Sequence, residues 1–434
     1  MSGARLARQL GLFSTTMAVV GGIVGAGIFI NPYLVAQRVH TVPLILGAWI
    51  AGGIVALLGG FIYAELAARA PVVGGQYAYL RDSLHPAVAF VYGWVLLLVI
   101  QTGGMAAVAV TFARYLLELT SWPVADSVVA VAALAVLTLI NCLGVRAGSR
   151  FQSSMTLTAI AAIALLEIFS FSHPPAMAAQ TFREAMPGNL VLAFGSAMTP
   201  VLFAYGGWQT SSFLGGEVRD AKRILPRALI LGVLVVIIVY TSVNFAYLRE
   251  LGPAGLAQTT TPASAVMRVL LGEAGAKVIA AGIAFSAFGF LAQSMLTAPR
   301  VYFAMAEDGV FFRKVAWVHP RTRVPVVAIA LQGVCAILIA ITGTYAQVVN
   351  YVVAMDCIFF GLTAACLILM RRRESTDAIP IGVPFYPWTI LVFIAAEWLV
   401  VASTFVHDWR RSVIGLVIAL AGLPVYAAWR RTSR

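Results

Sequence analysis

Residues 19–29 read Val-Val-Gly-Gly-Ile-Val-Gly-Ala-Gly-Ile-Phe, and Asn31-Pro32 follow directly. Four glycines, Gly21, Gly22, Gly25 and Gly27, interrupt an otherwise apolar run. A glycine in a helix interior costs about 1 kcal/mol relative to alanine, so a helix carried through this stretch is invited to open. A second stretch behaves alike: residues 203–208 read Phe-Ala-Tyr-Gly-Gly-Trp, with Pro200 just before them and Gly195 earlier.

The surrounding composition says what these helices cross. The 434 residues are 61% hydrophobic and 11% charged, with a mean hydropathy of +0.92. A soluble domain is about 45–50% apolar and about 25% charged, so a water-solvated fold cannot absorb the excess. A soluble enzyme and a nucleic-acid reader are excluded, and 38 Gly with 19 Pro suit membrane helices. A hydrocarbon core of about 30 Å takes about 20 helical residues. Twelve apolar runs of roughly that size are present: 10–36, 42–66, 88–117, 124–143, 155–171, 190–214, 224–247, 278–304, 324–341, 348–370, 388–405 and 413–428. They are too long and too little alternating for barrel strands, which predicts an all-α membrane protein of twelve transmembrane helices in a single domain, 1–434.

With both termini cytoplasmic, 21 of the 29 Lys and Arg lie on the inner side; Arg38, Arg114, Arg183, Arg249, Arg268, Lys277, Arg410 and Arg411 fall outside. The positive-inside rule therefore predicts a multi-pass protein of the cell's inner (plasma) membrane with cytoplasmic ends. The net charge of +12 is then mostly orientation, with anionic membrane lipids as its partner and no nucleic acid. The first run is too long for a signal-peptide core and is expected to stay as the first helix. Cys142, Cys335, Cys357 and Cys366 lie in or beside apolar runs without metal-ligand spacing, so no metal and no cofactor is expected. The five histidines fall in loops, with no HExxH, no GxSxG and no GxxxxGK[ST], which speaks against a membrane enzyme and against direct ATP drive.

An opened helix in lipid strands backbone N–H and C=O groups, so it persists only where it lines a cavity buried in protein. Gly21 and Gly25 alone would also satisfy a small-xxx-small helix contact. Interruptions in the first and sixth runs, matching places of two halves, point instead to the midplane site of a secondary transporter. The expected architecture is a 5+5 inverted repeat, 10–172 and 188–371, with broken first and sixth helices and two C-terminal helices, 382–430, appended.

The chain resembles the amino-acid, polyamine and organocation transporter superfamily, and within it the L-amino-acid transporter branch. The resemblance runs through nearly the whole chain. It rests on GAGIF (25–29), YAEL (63–66) with PVVGGQYAYL (71–80), FAYGGW (203–208), GEVRDAKRILP (216–226), Pro299-Arg300 with AEDG (306–309), and FFGLTAACLILMRRR (359–373). It implies secondary active transport of amino acids by alternating access, with neutral L-amino acids carried by exchange or proton coupling. A cationic amino acid or polyamine held by Asp356, or a sodium-coupled carrier, is the alternative. By resemblance the substrate carboxylate meets N–H groups around Gly25, Ala26 and Gly27, and the amine meets carbonyls at Ile23, Phe203 and Gly206, with Gly207 beside them. Phe203 resembles an aromatic gate, with Trp208 next to it. A helix N-terminus suits a carboxylate and free carbonyls suit an ammonium group.

Two departures bear on coupling. Ala26 stands where sodium-independent relatives commonly have Ser, and Ala159 where they commonly have Lys, no lysine occurring between Arg150 and Phe171. Ser286 falls where the eighth helix faces that place, as a hydrogen-bonding or ion-ligating hydroxyl. Eukaryotic relatives pair with a glycoprotein through a cysteine between the third and fourth spans; residues 118–126 contain none. No disulfide-linked heavy chain is therefore expected, and the carrier is a monomer or a non-covalent homodimer.

Asp356 stands inside the tenth run, 15 residues before Arg371. A charge near the bilayer centre costs at least about 2.5–3.5 kcal/mol, so it is read as functional: it holds a polar or cationic substrate group or carries a proton. Glu167, near an outer end, and Glu397, in the appended helices away from the core, are given no role. Glu65 or Glu217, paired with a nearby arginine, is expected to close the inner face.

Overall fold

A computed structural model describes residues 11–70, 75–143, 149–174, 186–209, 218, 220–320, 324–373, 382–407 and 409–432. The elements are helices: α1 Leu12–Ile23, α2 Gly27–Val39, α3 Val42–Arg69, α4 Gln76–Ser83, α5 Pro86–Val95, α6 Gln101–Thr120, α7 Asp126–Cys142, α8 Ser149–Ser172 and α9 Leu190–Tyr205. There follow α10 Ala221–Gln258, α11 Pro262–Thr297, α12 Pro299–Glu307, α13 Val326–Thr342, α14 Tyr345–Arg373, α15 Trp388–His407 and α16 Trp409–Thr432.

Among the described residues, seven helical segments are long and apolar enough to cross a membrane, α1 and α2 qualify together as one segment bent by 45°, and four shorter apolar helices lie in α7, α8, α9 and α13. Large apolar side chains such as Leu139 on α7, Ile238 on α10 and Val417 on α16 are exposed. In water that surface would aggregate; in lipid it is the solvent-matched face. The architecture is that of a multi-pass membrane protein.

Local chemistry sets the ends. Proline opens α3, α5 and α11 in the first turn, where the missing N–H has no helical partner to lose. His85 caps α5 by accepting the Ala87 N–H. His40 and Ser121 take left-handed backbone, φ 57° and 56°, and stop α2 and α6. A π-helical turn, Leu96–Ile100, joins α5 to α6, and the Thr102 hydroxyl donates to the Leu97 carbonyl at 2.8 Å.

Four segments differ from expectation. In the sixth apolar run, drawn to Leu214, α9 ends at Tyr205, and Thr210 to Glu217 lie outside the described residues. The stretch 248–277, read as an outer connection, is largely helical. It turns at Gly252 and Gly272, whose φ values of 64° and 68° let α10 and α11 kink without a side-chain clash. The connection after the second run carries α4, and the eighth run, drawn as 278–304, is divided at Ala298 between α11 and α12.

In the interior, α10 packs along α1 and α3, α2 along α9, and α11 along α6 and α8. Trp49, Tyr63, Tyr205, Tyr240 and Tyr247 are fully buried there. A second cluster around Phe90, Tyr302, Met305 and Phe359 fills the end near α4 and α12.

Candidate functional site

The first break spans Val24 to Ala26. Val24, at φ −71° and ψ 83°, leaves the helical region, and the Gly25 N–H turns back onto the Ile23 carbonyl at 2.7 Å. Ala26 caps α2 without a side-chain acceptor, and the first helical bond runs from Phe29 N–H to the Ala26 carbonyl at 3.2 Å. The N–H groups of Gly27 and Ile28 therefore have no acceptor within α2. They sit at the positive end of its dipole, equivalent to about half a unit charge.

The second break follows Tyr205. The Gly206 N–H reaches the Phe203 carbonyl at 3.2 Å, Gly206 turns to ψ 156°, and Gly207 takes φ +106°, a region that L side chains rarely enter. The Gly207 N–H donates to Gln209 Oε1 at 3.0 Å.

The two breaks lie against each other, backbone on backbone. A Cβ on Gly207 would stand 2.1 Å from the Gly22 carbonyl oxygen, and one on Gly27 would stand 2.7 Å from Ala204 Cα. The Tyr240 hydroxyl, on α10, lies 2.9 Å from the Ile23 carbonyl and 3.3 Å from the Ala204 carbonyl, so a single donor serves both openings. Trp49 and Tyr205 pack around it, with ring centroids 5.8 and 5.1 Å from that of Tyr240. From the other side the Phe290 ring of α11 approaches Gly25, where a Cβ would meet it at 3.3 Å.

Carbonyls freed by proline are also collected. Pro200 has no N–H for the Ser196 carbonyl, and Arg38 donates to that oxygen instead. Asn31, fully buried, donates to the Pro200 carbonyl at 2.7 Å and accepts from the Tyr345 hydroxyl at 2.7 Å, which links α2 to α9 and α14.

A family model described as amino acid permease matches residues 10–423. The chain belongs to the amino acid permease family. This permease is 31% identical over 432 residues to the serine/threonine exchanger SteT of Bacillus subtilis (strain 168), covering 98% of each chain. It is 32% identical over 442 residues to the human large neutral amino acids transporter small subunit 2, covering 98% of this chain and 81% of the relative. It is 31% identical over 449 residues to the human Asc-type amino acid transporter 1, covering 97% and 82%. The chain is thus a transporter and not an enzyme.

On one side of the breaks the permease carries an aromatic layer. Trp208, 3% exposed, meets Tyr63 edge-on at 4.8 Å and Phe360 at 5.3 Å, and Tyr63 and Phe360 are 6.1 Å apart. Phe203 is half-buried against the main interior cluster. Asp356, half-buried one turn before Phe360, has the titratable groups of Tyr63, Tyr92, Cys357 and Glu397 as electrostatic neighbours. Glu397 departs from its expected place away from the core: it is 2% exposed and faces Cys357 across the contact of α14 with α15. Ala159 and Ser286 are buried on α8 and α11, which meet where Gly282 faces Thr158 and Ala162 and Gly289 faces Met155.

Beyond the aromatic layer lies a buried ion network. Glu65, 0% exposed, accepts from Arg69 Nε at 2.8 Å, from Arg371 Nε and Nη2 at 2.8 and 2.5 Å, and from the Val383 N–H at 2.7 Å. Arg371 also stacks over the Tyr386 ring at 4.1 Å. Glu217, the other candidate for this role, lies outside the described residues. At the same end Asp308 accepts from Tyr77 at 3.0 Å and from Arg81 at 2.8 Å, clamping α4 to the turn after α12. Burial first, and Asp308 second, raise the Tyr77 phenol above its ordinary range. The Arg81 guanidinium is raised too, by Asp82 first and then by Asp308 against the cost of burial.

Tyr240, Phe290 and Glu397 escape a reading of the sequence. Each is a single residue of an apolar run, and only its partners across the bundle distinguish it.

Proposed function

We propose that the permease exchanges neutral L-amino acids across the plasma membrane by alternating access, with the substrate held between the two opened helices. The observation that carries this reading is the backbone contact of the breaks at Gly27–Ala204 and Gly207–Gly22, spanned by Tyr240. The α-carboxylate is received at the N-terminus of α2 by N–H groups around Gly25, Ala26 and Gly27, with Gly27 the open donor because the Gly25 N–H already bonds the Ile23 carbonyl. Because Ala26 brings no hydroxyl, those backbone donors carry the contact alone. The ammonium group is received by carbonyls of Ile23, Phe203 and Gly206. The Ile23 carbonyl already accepts from Tyr240 and Gly25, and the Phe203 carbonyl from Gly206, so the Gly206 carbonyl carries the larger share. Phe203 covers the substrate and Trp208 seals the path beneath it.

The printed functions of the relatives, serine/threonine exchange and neutral amino acid transport, support both substrate class and mode. Seven long segments, the bent pair and four short apolar helices support twelve spans, read as two inverted repeats, 10–172 and 188–371, with 382–430 appended. Both termini are cytoplasmic in this reading, so the Glu65 network closes the inner face. Asp356 stands beside the substrate site in this reading and faces a polar side chain of the substrate, while Ser286 and Ala159 pack the joint of the fifth and eighth spans against the site. No cysteine lies between α6 and α7, so the permease works without a disulfide-linked partner, as a monomer or a non-covalent homodimer.

Counterflow tests the mode. Proteoliposomes loaded with unlabelled L-serine or L-threonine will accumulate labelled L-serine at least tenfold faster than empty ones. Uptake that ignores the internal amino acid, or that follows a proton or sodium gradient alone, would contradict exchange.

A further inference from the structure

Arginines at the end of the bundle opposite Glu65 are mostly ion-paired. Arg114 meets Asp126 at 3.0 Å, Arg249 meets Glu250 at 3.4 Å, and Arg268 meets Glu118 and, at 2.6 Å, Glu273. Arg38 differs. In the last turn of α2 its half-buried guanidinium donates to the Ser196 carbonyl and to Asn350 Oδ1 at 3.1 Å, and among the described residues no carboxylate reaches it. Two of its five N–H groups are so engaged.

That guanidinium lines a cavity of about 720 Å³, with Gln37, Asn189, Ser196, Gln347 and Asn350 among its walls. Small-molecule sites span about 300–1,000 Å³. Two helices begin at its rim. Asn189 caps α9 by accepting the Leu192 N–H at 3.0 Å, and Gln347 accepts the Thr344 N–H at 3.2 Å at the start of α14. Both dipoles turn their positive ends toward the space that already holds an uncompensated cation, so the local field favours an anionic group.

We propose that this cavity is an entry site, in which Arg38 binds the α-carboxylate of an arriving amino acid before it reaches the opened helices. The proposal rests on the reading of the chain as an amino acid carrier with this end facing outward. The three N–H groups left free suffice for a carboxylate, while the bonds to Ser196 and Asn350 hold the guanidinium in place between α9 and α14.

The test is the KM for L-serine measured separately at the two faces of oriented proteoliposomes. Arg38→Gln is expected to raise KM at the outer face at least tenfold and to leave the inner KM within twofold, with Arg38→Lys in between. Asn350→Ala, which keeps the guanidinium, is expected to raise the outer KM less than Arg38→Gln does. The entry site is overturned if KM is unchanged at both faces, if it rises equally at both, or if Asn350→Ala matches Arg38→Gln. Absent serine counterflow in the wild type would instead reject the carrier reading. Labelling of Asn189→Cys by an impermeant thiol reagent from the inside alone would reject the orientation. Equal melting temperatures of wild type and Arg38→Gln show that the change is not one of folding.

Discussion

Gly207→Ala will abolish amino acid exchange in a protein that still inserts and folds. Two effects act together. The backbone at Gly207 has φ +106°, outside the regions that alanine occupies at low cost, and a β-carbon there would stand 2.1 Å from the Gly22 carbonyl oxygen. Backbone strain of this kind costs about 1–3 kcal/mol. The overlap cannot be relieved by a side-chain rotamer, because the obstacle is main chain. The two breaks must separate by more than an ångström, and a cavity shaped for a small zwitterion cannot keep its donors and acceptors in place after such a shift. Gly206→Ala, at φ −58°, meets its nearest neighbour at 3.2 Å and is expected to retain measurable exchange. Initial rates of labelled L-serine exchange in proteoliposomes, with protein content and melting temperature matched, check both.

Arg371→Ala will open the inner face. Glu65 is fully buried and its carboxylate is balanced by Arg69, Arg371 and the Val383 N–H. Removing one partner of a buried ion pair costs about 3–5 kcal/mol, because the remaining charge is left under-compensated. That is a hundredfold or more in a two-state equilibrium. The strained closed form gives way to one in which water reaches Glu65. Native Cys366, fully buried on α14 near Arg371, reports the change. Its labelling by N-ethylmaleimide, read by mass spectrometry, should rise more than tenfold in Arg371→Ala and less in Arg371→Lys. Unchanged labelling would show that the Glu65 network closes nothing.

The parts that could be read in advance and those that could not differ in the range of the physics involved. Composition and run length depend on local chemistry, so the membrane class and the place of the first break at Val24 to Ala26 emerge from the residues themselves. Gly27 and Gly207 were visible as glycines that a helix would rather not have, although not as the points where two backbones touch. Tyr240 was invisible, because its acceptor at Ile23 is 217 residues away and a tyrosine in an apolar run has no local signature. Glu397 was misplaced for the same reason: membership of an appended helix says nothing about which face meets α14. The kinks at Gly252 and Gly272 were hidden in a polar-looking connection, where a glycine with positive φ marks a turn between helices as readily as a loop.

The central claim is that the substrate sits at the N-terminus of α2 between the two breaks. Ala26 is 3% exposed, so a thiol there reacts only when the path to the site opens. In a background with Cys142, Cys335, Cys357 and Cys366 replaced, Ala26→Cys should be converted to a mixed disulfide by a small permeant thiosulfonate, with release of sulfinate. Saturating L-serine or L-threonine should slow that reaction at least fivefold, and an amino alcohol lacking the carboxylate should not. Modification at the same rate with and without the amino acids would place the substrate elsewhere and contradict the account.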